Sequence, residues 1–197
     1  MRDKLLLNIG AMAEAKLRGL SSWPLLVVML CFVGLLSPQR MAAQNSSDGD
    51  TYTTPERLFY ITRSLNKNLV CYDYRLTDGK LDKKDPIHVY WVNREEKVGQ
   101  KEDINFFQRK MAYGYKQVEK GEDRVVFTLT AYPKRQMTLT GSAGKGYTCY
   151  VSISGKQAIL QSLYVKTKPG NPMSVEYVEL RGVTVDGGDA VTEQVRP

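Results

Sequence analysis

The chain has 197 residues, 28 Lys and Arg against 21 Asp and Glu, a net charge of +7, and three cysteines. The length suits one domain behind a leader, and the charge is too dispersed for a nucleic-acid surface: Lys83-Lys84 faces Asp82 and Asp85, and Glu95-Glu96 follows Arg94. A single histidine, His88, excludes two-histidine metal sites, and no nucleophile elbow, phosphate loop or dinucleotide fingerprint occurs.

Residues 25–36, LLVVMLCFVGLL, are apolar throughout, with Lys16 and Arg18 before them and Met41-Ala42-Ala43 after. A basic start, a short apolar run and an Ala-ending break read as a secretory signal. The run is shorter than the ~20 residues of a membrane span, so the mature chain is expected to lack a transmembrane domain. The signal is placed at 1–43, and a start at Met12 would give it a more ordinary length. The expected location is outside the cytoplasm, periplasmic or extracellular; an uncleaved anchor holding the domain at a membrane surface is the alternative. Removing five basic and two acidic residues with the leader leaves a net charge of +4.

The remainder divides into a flexible N-terminal segment at 44–55, one β-rich domain at 56–186 and a flexible C-terminal tail at 187–197. Period-two alternation predicts strands at 57–63, 69–76, 87–92, 124–131, 136–140, 147–154, 157–166 and 175–185. Thr77-Asp78-Gly79-Lys80 and Ser154-Gly155-Lys156 read as tight hairpin connections. Val125, Phe127, Leu129 and Ala131 form the clearest inward row, and Tyr147, Val151 and Ile153 form another. Between the third and fourth strands, Ile104, Phe107 and Met111 recur at helical spacing, which predicts a helix within 102–113 ended by Gly114. The fold class is therefore mainly β: an antiparallel sandwich or barrel of about eight strands with one short α-helix.

Two cysteines follow the leader, Cys71 and Cys149. An even count in an oxidising compartment allows a disulfide between them. The alternation aims Cys149 into the core and Cys71 toward the other face of its strand, so two separate thiols are the competing reading. Asp78, Asp82 and Asp85 lack the alternate-position oxygens and closing glutamate of a calcium loop. No metal or other cofactor is expected.

The chemistry-bearing residues cluster at element ends. Arg63, Asn66 and Asn68 lie between the first two strands, His88, Tyr90 and Arg94 on and after the third, and Gln108 and Arg109 in the helix. Arginine, amide and tyrosine groups together suit a small polar or anionic ligand or a glycan, through bidentate hydrogen bonds and ring stacking. A glycan platform would need Trp91 or several tyrosines exposed on one face. All twelve tyrosines lie beyond the leader. These residues form a functional neighbourhood only if Arg63 and Arg109 border one cleft beside Tyr90; the competing reading is a structural polar network.

The runs Arg57-Leu58-Phe59-Tyr60-Ile61-Thr62-Arg63-Ser64-Leu65-Asn66-Lys67-Asn68, Pro86-Ile87-His88-Val89-Tyr90-Trp91 and Gln108-Arg109-Lys110-Met111-Ala112-Tyr113-Gly114-Tyr115 together resemble an uncharacterised family of exported Gram-negative bacterial domains that carries only a domain-of-unknown-function label. The resemblance spans about residues 55–185 and implies export and a single domain, with no ligand or catalytic residue attached. The leading expectation is an exported, non-enzymatic binding domain of the periplasm or cell envelope. The alternatives are a small enzyme with a His88, Tyr90 and arginine pocket, or a structural module that meets another protein.

Overall fold

A computed structural model describes residues 54–197, apart from the side chains of Pro172 and Met173. The leader at 1–43 and the adjoining residues to 53 lie outside the described residues. Alternating apolar and polar residues build β1 (Arg57–Arg63), β2 (Asn66–Tyr74), β3 (Leu76–Thr77), β4 (Lys80–Leu81), β5 (Ile87–Val92), β6 (Lys101–Asp103), β7 (Tyr115–Lys120), β8 (Arg124–Leu129), β9 (Tyr132–Ser142), β10 (Gly146–Ile153), β11 (Lys156–Lys168), β12 (Asn171–Thr184) and β13 (Ala190–Val195). One helical segment, α1, joins β6 to β7.

Eleven of these strands form one sheet, ordered β6-β5-β2-β1-β11-β10-β9-β8-β7, with β12 and β13 added beside β11. The protein is mainly β with one short helix, as expected, but in place of a sandwich or barrel of about eight strands the sheet is a curled half-barrel. Strand β11 accounts for the curl. It pairs with β10 over 156–159 and with β1 over 162–165, while β12 follows it from Ala158 to Lys168. Because β12 takes one edge of β11, β10 and β1 must share the other edge end to end. The register shift between Leu160 and Ser162 falls where the partner changes, and such bulges bend strands and raise their twist. The β1–β11 pair is also parallel, a departure from the expected all-antiparallel sheet.

The two hairpins read from the sequence have the expected chemistry. Asp78 and Gly79 at the β3–β4 turn have φ of 52° and 74°, and Ser154 and Gly155 at the β10–β11 turn have 50° and 78°. Two consecutive left-handed residues give the turn whose twist matches the flanking strands. Val125, Phe127, Leu129, Tyr147, Val151 and Ile153 are buried as expected and join Phe59, Tyr72, Ile87, Val89, Met137 and Leu139 inside the curl, whereas Ala131 lies exposed beyond the end of β8.

Three expectations need correction. First, residues 187–197 are not wholly a loose tail. Strand β13 pairs with β12 from Val178↔Val195 to Val183↔Ala190, and Glu193 takes hydrogen bonds from Arg135 at 2.5 Å and from the Ser154 amide at 2.6 Å. A single inward charge, Glu193, met by the half-buried Arg135, interrupts the apolar row of Val191 and Val195 that a sequence reading looks for. Second, the helix is shorter than 102–113: Lys101–Asp103 pairs with β5 as a strand, and α1 runs Phe106–Gln108 and continues as a wide turn through Arg109–Tyr113. The Gly114 amide donates to the Arg109 carbonyl, an i→i+5 bond that breaks the 3.6-residue period. Phe106, Phe107 and Met111 are consequently exposed at 69%, 72% and 68%, while Tyr113 is buried. Third, of the two readings of Cys71 and Cys149, the disulfide is not formed; both are buried thiols. Cys149 belongs to the core inside the curl, and Cys71 to a small cluster with Leu69, Tyr90 and Val92 on the opposite face of β2. Their Cβ atoms cannot converge through the sheet.

The two free edges of the half-barrel are tied across the gap by side chains. The Tyr115 hydroxyl donates to Asp85 at 2.6 Å and accepts from the Ile87 amide at 3.3 Å, and Gln117 donates to the Lys84 carbonyl at 2.9 Å. The segment α1 links the same two edges.

Candidate functional site

The β1–β2 turn is held by its own polar residues. The Ser64 amide donates to the Val165 carbonyl, and the Ser64 hydroxyl accepts from the Thr167 amide at 3.0 Å, which fixes the turn to the end of β11. Asn66 accepts from the Asn68 amide at 2.8 Å, and Asn68 accepts from the Arg94 amide at 2.9 Å. Asn68 therefore sets the backbone that presents Arg94. This arrangement leaves an open cleft of about 370 Å³ lined by Thr62, Arg63, Asn66, Lys67 and Arg94.

The cleft gathers three cations, an amide and a hydroxyl. Arg63 donates through Nη1 to the Tyr113 hydroxyl at 2.7 Å. Tyr113 is itself fixed, since its carbonyl accepts from Tyr72 at 2.7 Å and its ring meets Trp91 edge-on at 5.1 Å. The guanidinium of Arg63 is thus positioned by a chain that begins in the core. Lys67 lies 3.2 Å from Glu95, with side-chain exposures of 79% and 49%. A pair that exposed is weak and gives way readily to a competing anion. Among the described residues the lining is cationic and neutral polar, so it can bind and orient negative charge.

The other predicted residues lie elsewhere. Tyr90 sits on the outward face of the sheet, where its hydroxyl donates to Asp73 at 2.6 Å and accepts from Arg57 at 3.1 Å. Arg57 donates to the same carboxylate at 2.5 Å and Thr54 at 3.1 Å. Burial first, and then the bond to Asp73, push the Tyr90 phenol well above its ordinary pKa, so it stays a neutral donor. His88 is paired with Asp103 at 2.6 Å, and its ring meets that of Tyr90 at a tilt, 4.8 Å between centroids. Gln108 is the third helical residue and answers the N-cap Asn105 in a capping box, each side chain bonded to the other's backbone amide. Arg109 lies 3.9 Å from Asp85, whose other oxygen accepts from Arg75 at 2.8 Å.

The expected convergence of Arg63, Arg109 and Tyr90 on one cleft does not occur. Arg63, Asn66 and Arg94 line the cleft, Asn68 shapes it, and His88, Tyr90, Gln108 and Arg109 belong to structural networks. Lys67 and Thr62 are the lining residues the site selection missed. Both stand in the run that carries Arg63 and Asn66, and a lysine four positions after Arg63 was the available signal. Trp91 is no sugar platform: it packs against the core, with its indole N–H buried and unpartnered. Among the described residues no group of His, Cys, Asp or Glu is placed to hold a metal ion, and no helix is long and apolar enough to cross a membrane.

No curated protein and no solved structure matches the chain. A family model, that of the domain of unknown function DUF4833, matches residues 59–194, from β1 through to β13 and including every residue of the cleft. The chain belongs to the DUF4833 family.

Proposed function

We propose that this is a non-enzymatic binding domain that takes a small anionic ligand, a phosphate ester or a polycarboxylate, in the cleft between the β1–β2 turn and Arg94. The observation that carries the reading is the meeting of Arg63, Lys67 and Arg94 with Asn66 and Thr62 around one opening. Arg63 and Arg94 supply planar forks for carboxylate or phosphate oxygens, Lys67 a mobile point charge, and Asn66 and Thr62 neutral hydrogen bonds. Prior fixing of Arg63 by Tyr113 and of the Arg94 backbone by Asn68 lowers the ordering cost of binding. The apolar run at 25–36 supports export, with the domain working in the periplasm or cell envelope.

A thermal-shift comparison of the full-length chain with phosphate, pyrophosphate and citrate tests the reading. At least one anion should raise the melting temperature, and Arg94→Ala should abolish the rise while leaving the unliganded melt nearly unchanged. Equal shifts in both proteins, or no shift with any of the three, would refute the site.

A further inference from the structure

Register brings three connections of the sheet to one end. Strand β11 runs parallel to β1 with Arg63 beside Val165, and β5 lies antiparallel to β2 with Leu69 beside Val92. Strands β1, β5 and β11 therefore finish together, and the β1–β2, β5–β6 and β11–β12 connections turn the chain back there. Polar contacts tie the three to one another. The Ser64 hydroxyl accepts from the Thr167 amide at 3.0 Å, Asn68 accepts from the Arg94 amide at 2.9 Å, and Lys67 meets Glu95 at 3.2 Å.

Two properties coincide at this end. The first is charge. Residues 63–68, 93–100 and 166–171 hold Arg63, Lys67, Arg94, Lys97, Lys166 and Lys168 against Glu95 and Glu96. All other described residues together hold 17 Lys and Arg against 15 Asp and Glu, so most of the net positive charge gathers here. The second is apolar surface at the loop tips: Leu65 is 56% exposed and Val98 66%. Both are held out by fixed backbone. Leu65 sits between the anchored Ser64 and Asn66. Val98 sits in a turn closed by the Gly99 amide on the Asn93 carbonyl at 2.8 Å and the Gln100 amide on the Lys97 carbonyl at 2.9 Å. One exposed apolar residue alone is ordinary. Two on adjoining loops, amid this charge, complement a surface that is anionic outside and apolar beneath.

We infer that this end docks on a bilayer bearing anionic phospholipid. Leu65 and Val98 enter the interface, Lys97 and Lys168 face the headgroup layer, and Arg63, Lys67 and Arg94 seat one headgroup phosphate in the cleft. The inference rests on the anion-binding reading of that cleft and names the surface that carries the anion. A free anion or a nucleic-acid strand would engage the cations and leave both apolar tips in water. Reversible attachment to a membrane surface combines an apolar with an electrostatic part, and this end supplies both.

The test is sedimentation of the full-length chain with vesicles of phosphatidylcholine alone and of an equal mixture with phosphatidylglycerol, joined to hydrogen exchange read by mass spectrometry. The apolar run at 25–36 meets both vesicles alike, so the readouts are the gain from anionic lipid and the segments protected. The gain should be about tenfold or more, should vanish at high salt, and should come with protection of 63–68 and 93–100. Leu65→Ser/Val98→Ser should cut it by about tenfold while pyrophosphate still binds, since both side chains are exposed and lie outside the cleft lining. Lys97→Ala/Lys168→Ala should cut it by a similar factor. Lys156→Ala, twelve positions from Lys168 along β11 or roughly 40 Å at strand rise, should not. Arg94→Ala should weaken vesicles and pyrophosphate together. Equal binding to both vesicles, or a gain that Leu65→Ser/Val98→Ser leaves intact, would overturn the docking and leave the cleft reading standing if pyrophosphate binds. Absence of pyrophosphate binding would overturn the cleft reading and the headgroup seat with it.

Discussion

Replacing Asp73 by Ala should be among the most damaging single changes in the sheet. The carboxylate accepts hydrogen bonds from Arg57, Tyr90 and Thr54, and the Arg57 and Asp73 side chains retain only 10% and 11% of their exposure. Removing one partner of a buried ion pair strands the other charge, which costs about 3–5 kcal/mol. The Tyr90 hydroxyl keeps a contact with Arg57 at 3.1 Å, so its desolvation adds little to that figure. Against a total stability of about 5–15 kcal/mol the loss is a large fraction, and it corresponds to a fall in melting temperature of about 6–20 °C. Urea melts of wild type and Asp73→Ala at pH 7 measure it, with Arg57→Met/Asp73→Leu as the companion. The double variant should recover part of the loss, because apolar replacement of both members of a buried pair is often close to neutral, while the buried Tyr90 hydroxyl, stripped of both partners, still costs about 1–3 kcal/mol. A loss below about 1 kcal/mol in the single variant, or no recovery in the double, would refute the reasoning.

Gly114→Ala should cost about 1–3 kcal/mol by thermal melting, because a Cβ there would stand 2.1 Å from the Arg109 carbonyl oxygen and force the wide turn of α1 apart. Phe107→Ser should leave the same melt within about 0.5 kcal/mol, since Phe107 is largely exposed despite its helical spacing. Glu193 is pushed up by burial, but the Ser154 amide and the Arg135 guanidinium outweigh this and hold it below the usual carboxylate range. Its contribution is therefore present above an unfolded pKa of about 4.3 and lost as pH falls through the lower folded value. Urea melts should show Glu193→Gln less stable than wild type at pH 7, with the gap closing as pH falls below about 4. Cys71 and Cys149 should resist iodoacetamide in the native protein and label on unfolding, as peptide mass mapping would show; Cys149 is fully buried and its thiol is pushed far up by that burial.

The strands with clean alternation were legible from residues alone. Strands β1 and β5 match the predicted ranges, and the left-handed turns at Asp78-Gly79 and Ser154-Gly155 were signalled by their dipeptides. Strand β13 was hidden because its inward row is Val191, Glu193 and Val195, and the middle position becomes compatible with burial only once Arg135 arrives from β9. The exposed face of α1 was misread because a wide turn has no signature in a 3.6-residue pattern. The cleft was half legible. Arg63, Asn66 and Arg94 stand at strand ends, but whether Arg109 and Tyr90 join them depends on Asp85 and Asp73, tertiary partners that no local spacing reveals.

Calorimetric titration of the full-length chain with pyrophosphate, in parallel with Lys67→Ala and Arg94→Ala, tests the central claim most directly. An anion held by Arg63, Lys67 and Arg94 should bind with an affinity that weakens as salt rises. Arg94→Ala should lower that affinity by more than about tenfold, and Lys67→Ala by less, since an exposed point charge contributes less than an arginine fork. Binding that is indifferent to salt and equal in all three proteins would contradict the account.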